Sequence, residues 1–348
     1  MSPAFSARLL AWHKRHGRHD LPWQRTRDAY RIWLAEIMLQ QTQVAAVIPY
    51  YQRFLQRFPD IATLAAAPQD EVLRLWSGLG YYSRARNLQR AAQLVAQRHG
   101  GAFPRALADI EALPGVGRST AAAIAAFAYG TRAAILDGNV KRVLARHFAV
   151  AGFPGEKRIE NQLWQLAQEL LPPREIGRYT QAIMDLGATL CTRAKPACDA
   201  CPLAASCAAL ALGRARDFPT PRPAKALPTR ATRMLLLLHK GELLLEKRPN
   251  AGIWGGLWSL PEVEDGADLK RHCRRHYGCS IAAAQPLAPL AHGFTHFRLQ
   301  IQPLLCPVKT LAPAARDAGQ IWLSLDDAHG AAIPVPVRKL IERLRSSG

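Results

Sequence analysis

The sequence predicts two domains of different class: an all-α domain over residues 1–212 and an α+β domain over 230–348, joined by a Pro-rich basic linker at 213–229. Three observations lead there. A length of 348 residues suits about two domains, each long enough to bury a core. From Met1 to about Leu212 the text is rich in Ala and Leu with helical periodicity. Turn signals break it at Phe58-Pro59-Asp60, Leu113-Pro114-Gly115 and Leu171-Pro172-Pro173. Beyond Thr229 short apolar runs replace that pattern.

Within the helical half, Ala106–Ala112 and Arg118–Tyr129 read as helices joined by Leu113-Pro114-Gly115-Val116-Gly117. Gly115 and Gly117 permit a tight turn, and its amides, backed by the N-terminus of the next helix, can hold a backbone phosphate without reading sequence. A packing turn is the alternative. The segment from Arg214 to Thr229 has prolines at 219, 221, 223 and 228 with basic residues between, which suits an extended linker. Met234–Leu238 and Glu242–Leu245 flank His239-Lys240-Gly241 as a hairpin, and Phe297–Leu305 is another extended apolar run.

The chain carries 46 Lys plus Arg against 26 Asp plus Glu, a formal charge of +20. Such a field favours a polyanion, above all nucleic acid, and exceeds what solubility requires. No apolar stretch reaches the length of a bilayer-crossing helix and the N-terminus lacks a signal-peptide pattern, so a cytoplasmic protein with no membrane partner is expected.

Cys191, Cys198, Cys201 and Cys207 stand at C-x6-C-x2-C-x5-C, while Cys273, Cys279 and Cys306 lie far downstream. Thiolates take soft metals, and a C-x2-C pair lets two sulfurs of one loop reach the same centre. Zinc and an iron–sulfur cluster are both candidates. A single C-x2-C flanked by wider gaps leans toward the cluster.

Two carboxylates draw notice. The helical neighbours of Glu36 at three and four residues are Ile32, Trp33, Leu39 and Gln40, with no cation among them. A desolvated carboxyl has its pKa raised, as a general acid at neutral pH requires; the alternative is a glutamate at the rim of an amphipathic helix. Asp137, before Gly138-Asn139, reads as an ordinary turn or N-cap as readily as a catalytic group.

The texts Met38-Leu39-Gln40-Gln41-Thr42-Gln43-Val44 and Gly78-Leu79-Gly80-Tyr81-Tyr82-Ser83-Arg84, the Leu113–Thr120 hairpin, Ile135–Arg146 and the cysteine quartet together resemble the adenine DNA glycosylase (MutY) family. The resemblance runs over nearly the whole chain. It implies a helix-hairpin-helix glycosylase domain, made of a six-helix barrel module and an iron–sulfur helical module, followed by a Nudix-like domain. It further implies a [4Fe–4S] cluster on the loop 191–207. The implied partner is double-stranded DNA with adenine opposite 8-oxoguanine or guanine, and the implied protein is a monomer, bacterial and nucleoid-associated.

Residue by residue, Glu36 resembles the acid that protonates adenine, and Asp137 the carboxylate that stabilises the sugar cation by charge or by transient attachment. By the same similarity Trp23, Leu39 and Gln181 line the base pocket and Gln41 and Tyr81 wedge the duplex; core packing is the alternative for Trp23 and Tyr81. Arg193 and Lys195 are expected to touch phosphate. Endonuclease III-like glycosylase-lyases carry a lysine in a G-R-K-T text, and here Gly117-Arg118-Ser119-Thr120 replaces it. A lyase and a non-catalytic iron–sulfur DNA-binding protein are the competing readings.

The C-terminal part resembles the Nudix-like domain that the family uses to inspect the base opposite adenine. Gly256 and Glu262 fit the opening of the Nudix hydrolase pattern, yet Arg271, Arg274 and Arg275 stand where later carboxylates would hold metal. Phe294-Thr295-His296 resembles the Phe-Ser-His loop that contacts 8-oxoguanine, with Thr for Ser; a plain β-turn is the alternative.

Overall fold

The computed structural model describes residues 2–222, 226–312 and 319–346, with the side chains of 2–4 left aside; Pro223 of the expected linker lies outside the described residues. Two compact units emerge, both of discontinuous chain: Met1–Ala66 with Asn87–Ala224, and Ala67–Arg86 with Lys225–Gly348.

The N-terminal half holds α1 (Ser2–His16), α2 (Ala29–Leu39), α3 (Val44–Arg57), α4 (Ile61–Ala66), α5 (Gln69–Trp76), α6 (Ser83–Arg98), α7 (Leu107–Glu111), α8 (Arg118–Tyr129), α9 (Gly138–His147), α10 (Lys157–Glu169), α11 (Ile176–Thr189) and α12 (Ala208–Ala211). In the first unit α2 is capped by the Asp28 carboxylate, which accepts from the Tyr30 amide, and buries Trp33, Leu34 and Met38 completely. Its neighbour α8 buries Ala121, Ala122, Ala123, Ala125 and Ala126 along with Ile124, and side chains as small as alanine let two helices approach closely. A second layer joins α9 to α11, where a Cβ on Gly187 would lie 2.6 Å from that of Asn139, so only glycine admits the approach.

The stretch expected as an extended linker is docked over its first half. Phe218 is buried, its carbonyl accepts from Arg146 Nε at 2.8 Å, and Thr220 Oγ1 accepts from the Gly152 amide at 3.1 Å. The reason is a buried guanidinium that needs carbonyl partners, which the Pro-rich composition does not reveal.

The second unit is built on a mixed sheet of nine strands: β1 (Thr229–His239), β2 (Glu242–Lys247), β3 (Trp258–Ser259), β4 (Glu262–Val263), β5 (Cys279–Ile281), β6 (Gln285–Pro286), β7 (Leu290–Gly293), β8 (Arg298–Leu311) and β9 (Gln320–Ser324). The expected hairpin forms, with Leu238 opposite Leu243 and Lys240-Gly241 at positive φ in the turn. β1 also runs parallel to β8 in register Leu235 to Leu304, which explains why Met234–Leu237 is buried on both faces. Helices α13 (Leu269–Tyr277), α14 (Leu325–Gly330) and α15 (Val335–Ser346) complete it. Cys273, Cys279 and Cys306 are buried core residues here, beside Leu235, Leu237 and Tyr277.

Helix α5 belongs to this unit through specific bonds. Asp70 accepts from Lys247 Nζ and, at 3.1 Å, from Trp258 Nε1. Ser77 Oγ donates to the Ile333 carbonyl at 2.9 Å and lies 3.0 Å from Arg338 Nη2.

Candidate active site

In the first unit a cavity of about 610 Å³ opens between α2, α8, α9 and α11, and Trp23, Glu36, Leu39, Asp137 and Gln181 all line it. The sequence separates these residues by more than a hundred positions, and the fold brings all five together. Arg18, Ser119 and Asn139 share the lining.

Glu36 projects from the last turn of α2. Burial first, and the nearby Asp137 charge second, push its carboxyl up to about 8. Asp137 is the N-cap of α9: Oδ1 accepts from the Val140 amide at 2.8 Å and Oδ2 from Asn139 Nδ2 at 3.2 Å. The N-cap expected of Asp137 forms, and the same carboxylate lines the cavity. Burial raises its pKa, and the capping bonds and Arg142 oppose that rise without cancelling it. Ser119 Oγ accepts from the Leu136 amide at 2.9 Å and so pins the segment that delivers Asp137.

The wall at Trp23 rests on a clamp that local sequence pattern does not announce. Asp185, fully buried on α11, accepts from the Arg18 amide at 2.9 Å, from Arg18 Nε at 2.8 Å and Nη2 at 2.6 Å, and from Gln181 Nε2 at 2.8 Å; His13 Nε2 lies 3.3 Å away. Burial alone would raise the Asp185 pKa, yet the bonds from His13 and Arg18 outweigh it and hold the carboxylate below its usual range. Gln24 Nε2 donates to the Arg18 carbonyl at 2.9 Å, closing the loop that sets Trp23 edge-on to Tyr51 with centroids 5.4 Å apart. Arg18 and Asp185 are 167 positions apart, so nothing in a single sequence pairs them.

The expected wedge residues share a backbone feature. Gln41 at φ 56° and Tyr81 at φ 48° are two of six non-glycine residues with positive φ among the described residues, and both are exposed. Each belongs to a different unit. Around Tyr81, Arg84 is buried, donates to the Leu79 and Gly80 carbonyls at 3.2 and 3.1 Å, and lies over the Tyr81 ring at 5.5 Å. Strain held by such over-determined surroundings is a mark of functional loops. The hairpin glycines differ from each other: Gly115 has φ +79° and a Cβ there would lie 2.9 Å from that of Asn87, whereas Gly117 caps α8 with open space where a side chain would stand.

The four cysteines are half-buried in one loop beside α9. Burial, with the three other thiols adding, pushes Cys201 up to about 11, and burial together with Cys191 and Cys207 raises Cys198. Arg146, buried on α9, donates Nη1 to the Cys191 sulfur at 3.3 Å and to the Thr192 carbonyl at 2.7 Å, and Nη2 to the Arg193 carbonyl at 3.0 Å. No three His, Cys, Asp or Glu side chains among the described residues are gathered so that they could hold a single metal ion. Arg193 and Lys195 are exposed on the same loop.

In the second unit Phe294 and Phe297 close the β7–β8 hairpin, with the Phe294 amide donating to the Phe297 carbonyl at 2.9 Å and their rings stacked at 4.4 Å. The turn leaves Thr295 and His296 exposed. Trp254, at φ 55°, flanks Phe294 with centroids 5.7 Å apart, a neighbour that sequence pattern missed. A trough of about 1060 Å³ lies beside β1 and β8 of this unit, lined by Arg233, Glu262 and Gln300 and by none of Phe294, Thr295 and His296. Glu262 is paired with Arg248, and Arg271, Arg274 and Arg275 are exposed on α13, so the acidic metal cradle of a hydrolase is missing from this helix.

Residues 34–169 match the model of the HhH-GPD superfamily base excision DNA repair proteins, and residues 233–343 match a NUDIX domain. Adenine DNA glycosylase from Buchnera aphidicola subsp. Acyrthosiphon pisum is 35% identical over 344 residues, covering 99% of this chain and 98% of that protein. The human adenine DNA glycosylase is 36% identical over 405 residues, covering 97% of this chain and 73% of that protein. Among solved structures, a thermostable thymine-DNA glycosylase is 31% identical with TM-score 0.55, covering 60% of this chain and 95% of its own. A non-covalent endonuclease III–DNA complex, 23% identical with TM-score 0.51 and 60% of this chain covered, shares the fold. The helical fold with its two-carboxylate cavity and the full-length likeness to enzymes of base excision repair agree: the chain belongs to the adenine DNA glycosylase family.

Proposed function

We propose that the protein removes adenine opposite 8-oxoguanine or guanine in duplex DNA by hydrolysis, leaving the strand intact. The observation that carries this is the pair of carboxyls on one cavity, Glu36 held protonated at neutral pH and Asp137 tied into a helix cap. The adenine leaves the base stack and enters the cavity, beside Trp23 and Leu39 and against Gln181. Glu36 gives its proton to a ring nitrogen, the C1′–N9 bond breaks with its electron pair on the base, and the sugar becomes cationic. Asp137 stabilises that cation; the Glu36 carboxylate then takes a proton from the water that adds to C1′. Ser119 offers a hydroxyl where a lyase would offer an amine, so no Schiff base forms and the abasic strand stays whole.

Four half-buried cysteines of one loop whose charges act on one another, beside a buried guanidinium that donates to one sulfur, support the reading of a [4Fe–4S] cluster on Cys191, Cys198, Cys201 and Cys207. A single zinc would need its sulfurs drawn in to about 2.3 Å from one point. When bound, the cluster supplies covalent ties that hold the loop, which presents Arg193 and Lys195 to the DNA backbone. The amides at Gly115 and Gly117 hold a second phosphate. Gln41 and Tyr81 fill the gap left by the flipped base, and Phe294, Thr295 and His296 read 8-oxoguanine.

Single-turnover incubation with duplexes carrying adenine opposite 8-oxoguanine, guanine and thymine, followed by alkali to reveal abasic sites, tests the reading. Excision fastest opposite 8-oxoguanine and slowest opposite thymine is expected. Intact adenine in every duplex would refute it.

A further inference from the structure

Behind the cavity wall, Asp185 accepts from Gln181 Nε2 at 2.8 Å, and Asp185 itself does not line the cavity. We infer that Asp185 is a positioning residue that fixes the direction of the Gln181 amide and thereby makes the pocket select a 6-amino purine over a 6-oxo one. The inference rests on the reading of this cavity as the site of the excised base.

An amide can present either its oxygen or its NH2 to a ligand, and a side-chain glutamine alone does not choose. Here the choice is forced. An ionised carboxylate only accepts hydrogen bonds, and Asp185 is kept ionised by donors on both oxygens: Arg18 Nε and Nη2 with Gln181 on Oδ1, and the Arg18 amide on Oδ2, with His13 Nε2 3.3 Å away. Being fully buried, it also has no water to exchange for these partners. Gln181 must therefore turn its Nε2 to Asp185, which leaves Oε1, with no other hydrogen bond among the described residues, as the face it offers to the cavity it lines. An oxygen there accepts from the N6 amino group of adenine. Hypoxanthine and guanine carry an oxygen at that position, and two acceptors facing each other in a desolvated site are both left unpaired.

The test compares single-turnover excision of adenine and of hypoxanthine, each opposite 8-oxoguanine, by the full chain and by Asp185→Asn. The amide of Asn can donate to Gln181 Oε1 and release the lock, so the adenine-to-hypoxanthine rate ratio is expected to fall at least about fivefold. Arg18 also lines the cavity, and its loosening would change the ratio whether or not the Gln181 amide is present, so the Gln181→Leu background separates the two effects. Gln181→Leu, which removes the amide, should lower the ratio on its own, and adding Asp185→Asn to it should change the ratio no further. An unchanged ratio in either single variant, or a further fall in the double variant, overturns the proposal. Failure of the wild-type chain to excise adenine would instead sink the reading of the cavity itself.

Discussion

Glu36 holds a proton at neutral pH because burial and the Asp137 charge both penalise its ionised form. Excision should therefore fall as pH rises, with a midpoint near about 8, and a single-turnover pH profile on adenine opposite 8-oxoguanine checks this. An acid limb should come from protonation of Asp137, whose pKa is also raised. The same shift has a cost in stability. The folded-state value of about 8 lies above the ordinary 4.5, so the folded chain binds the extra proton between those values and loses stability as pH climbs through them. Glu36→Gln should then be more stable than wild type at pH values above about 8, by up to about 5 kcal/mol, with the gain vanishing below about 4.5. Thermal melts at both ends decide it. Glu36 was legible because four apolar or uncharged helical neighbours signal a buried face; Asp185 was not, because its partners Arg18 and His13 come from the far end of the unit.

At the scale of elements, α9 links the carboxylate cavity to the cysteine loop. Its N-cap is Asp137, while Arg142 donates to the Cys191 carbonyl at 2.7 Å and Arg146 grips the cysteine loop and the Phe218 carbonyl. Arg146→Met should leave the Phe218 and Thr192 carbonyls without their donor and cost about 3 kcal/mol, read by denaturant melts, with earlier bleaching of any cluster absorbance the protein carries. The elements themselves were mostly readable. Periodicity marked Arg118–Tyr129 as a helix, and Lys240-Gly241 marked the hairpin between β1 and β2. The parallel pairing of β1 with β8 was not readable, since about sixty residues intervene and both strands are apolar runs that fit several partners. Nor was the attachment of α5 to the sheet, which depends on Asp70 meeting Lys247 and Trp258.

For the whole molecule, a formal charge of +20 makes DNA affinity steeply dependent on salt. Replacing Arg193 and Lys195 together with Ala should weaken binding to all duplexes alike and reduce the slope of log affinity against log salt by about two, measured by fluorescence anisotropy. A change confined to 8-oxoguanine duplexes would contradict the phosphate role. The family and the order of its two folds were visible in motifs spread over the chain, because a base-excising site needs particular residue types at particular turns. The Arg18–Asp185 clamp and the docked linker were hidden, because they are made by tertiary neighbours.

In the proposed mechanism one protonated carboxyl, that of Glu36, begins the removal of adenine. Single-turnover excision of adenine opposite 8-oxoguanine by Glu36→Gln tests it most directly, with duplex binding measured on the same preparation. Excision should drop by roughly a hundredfold or more while binding stays near that of wild type. Near-normal excision by this variant would contradict it.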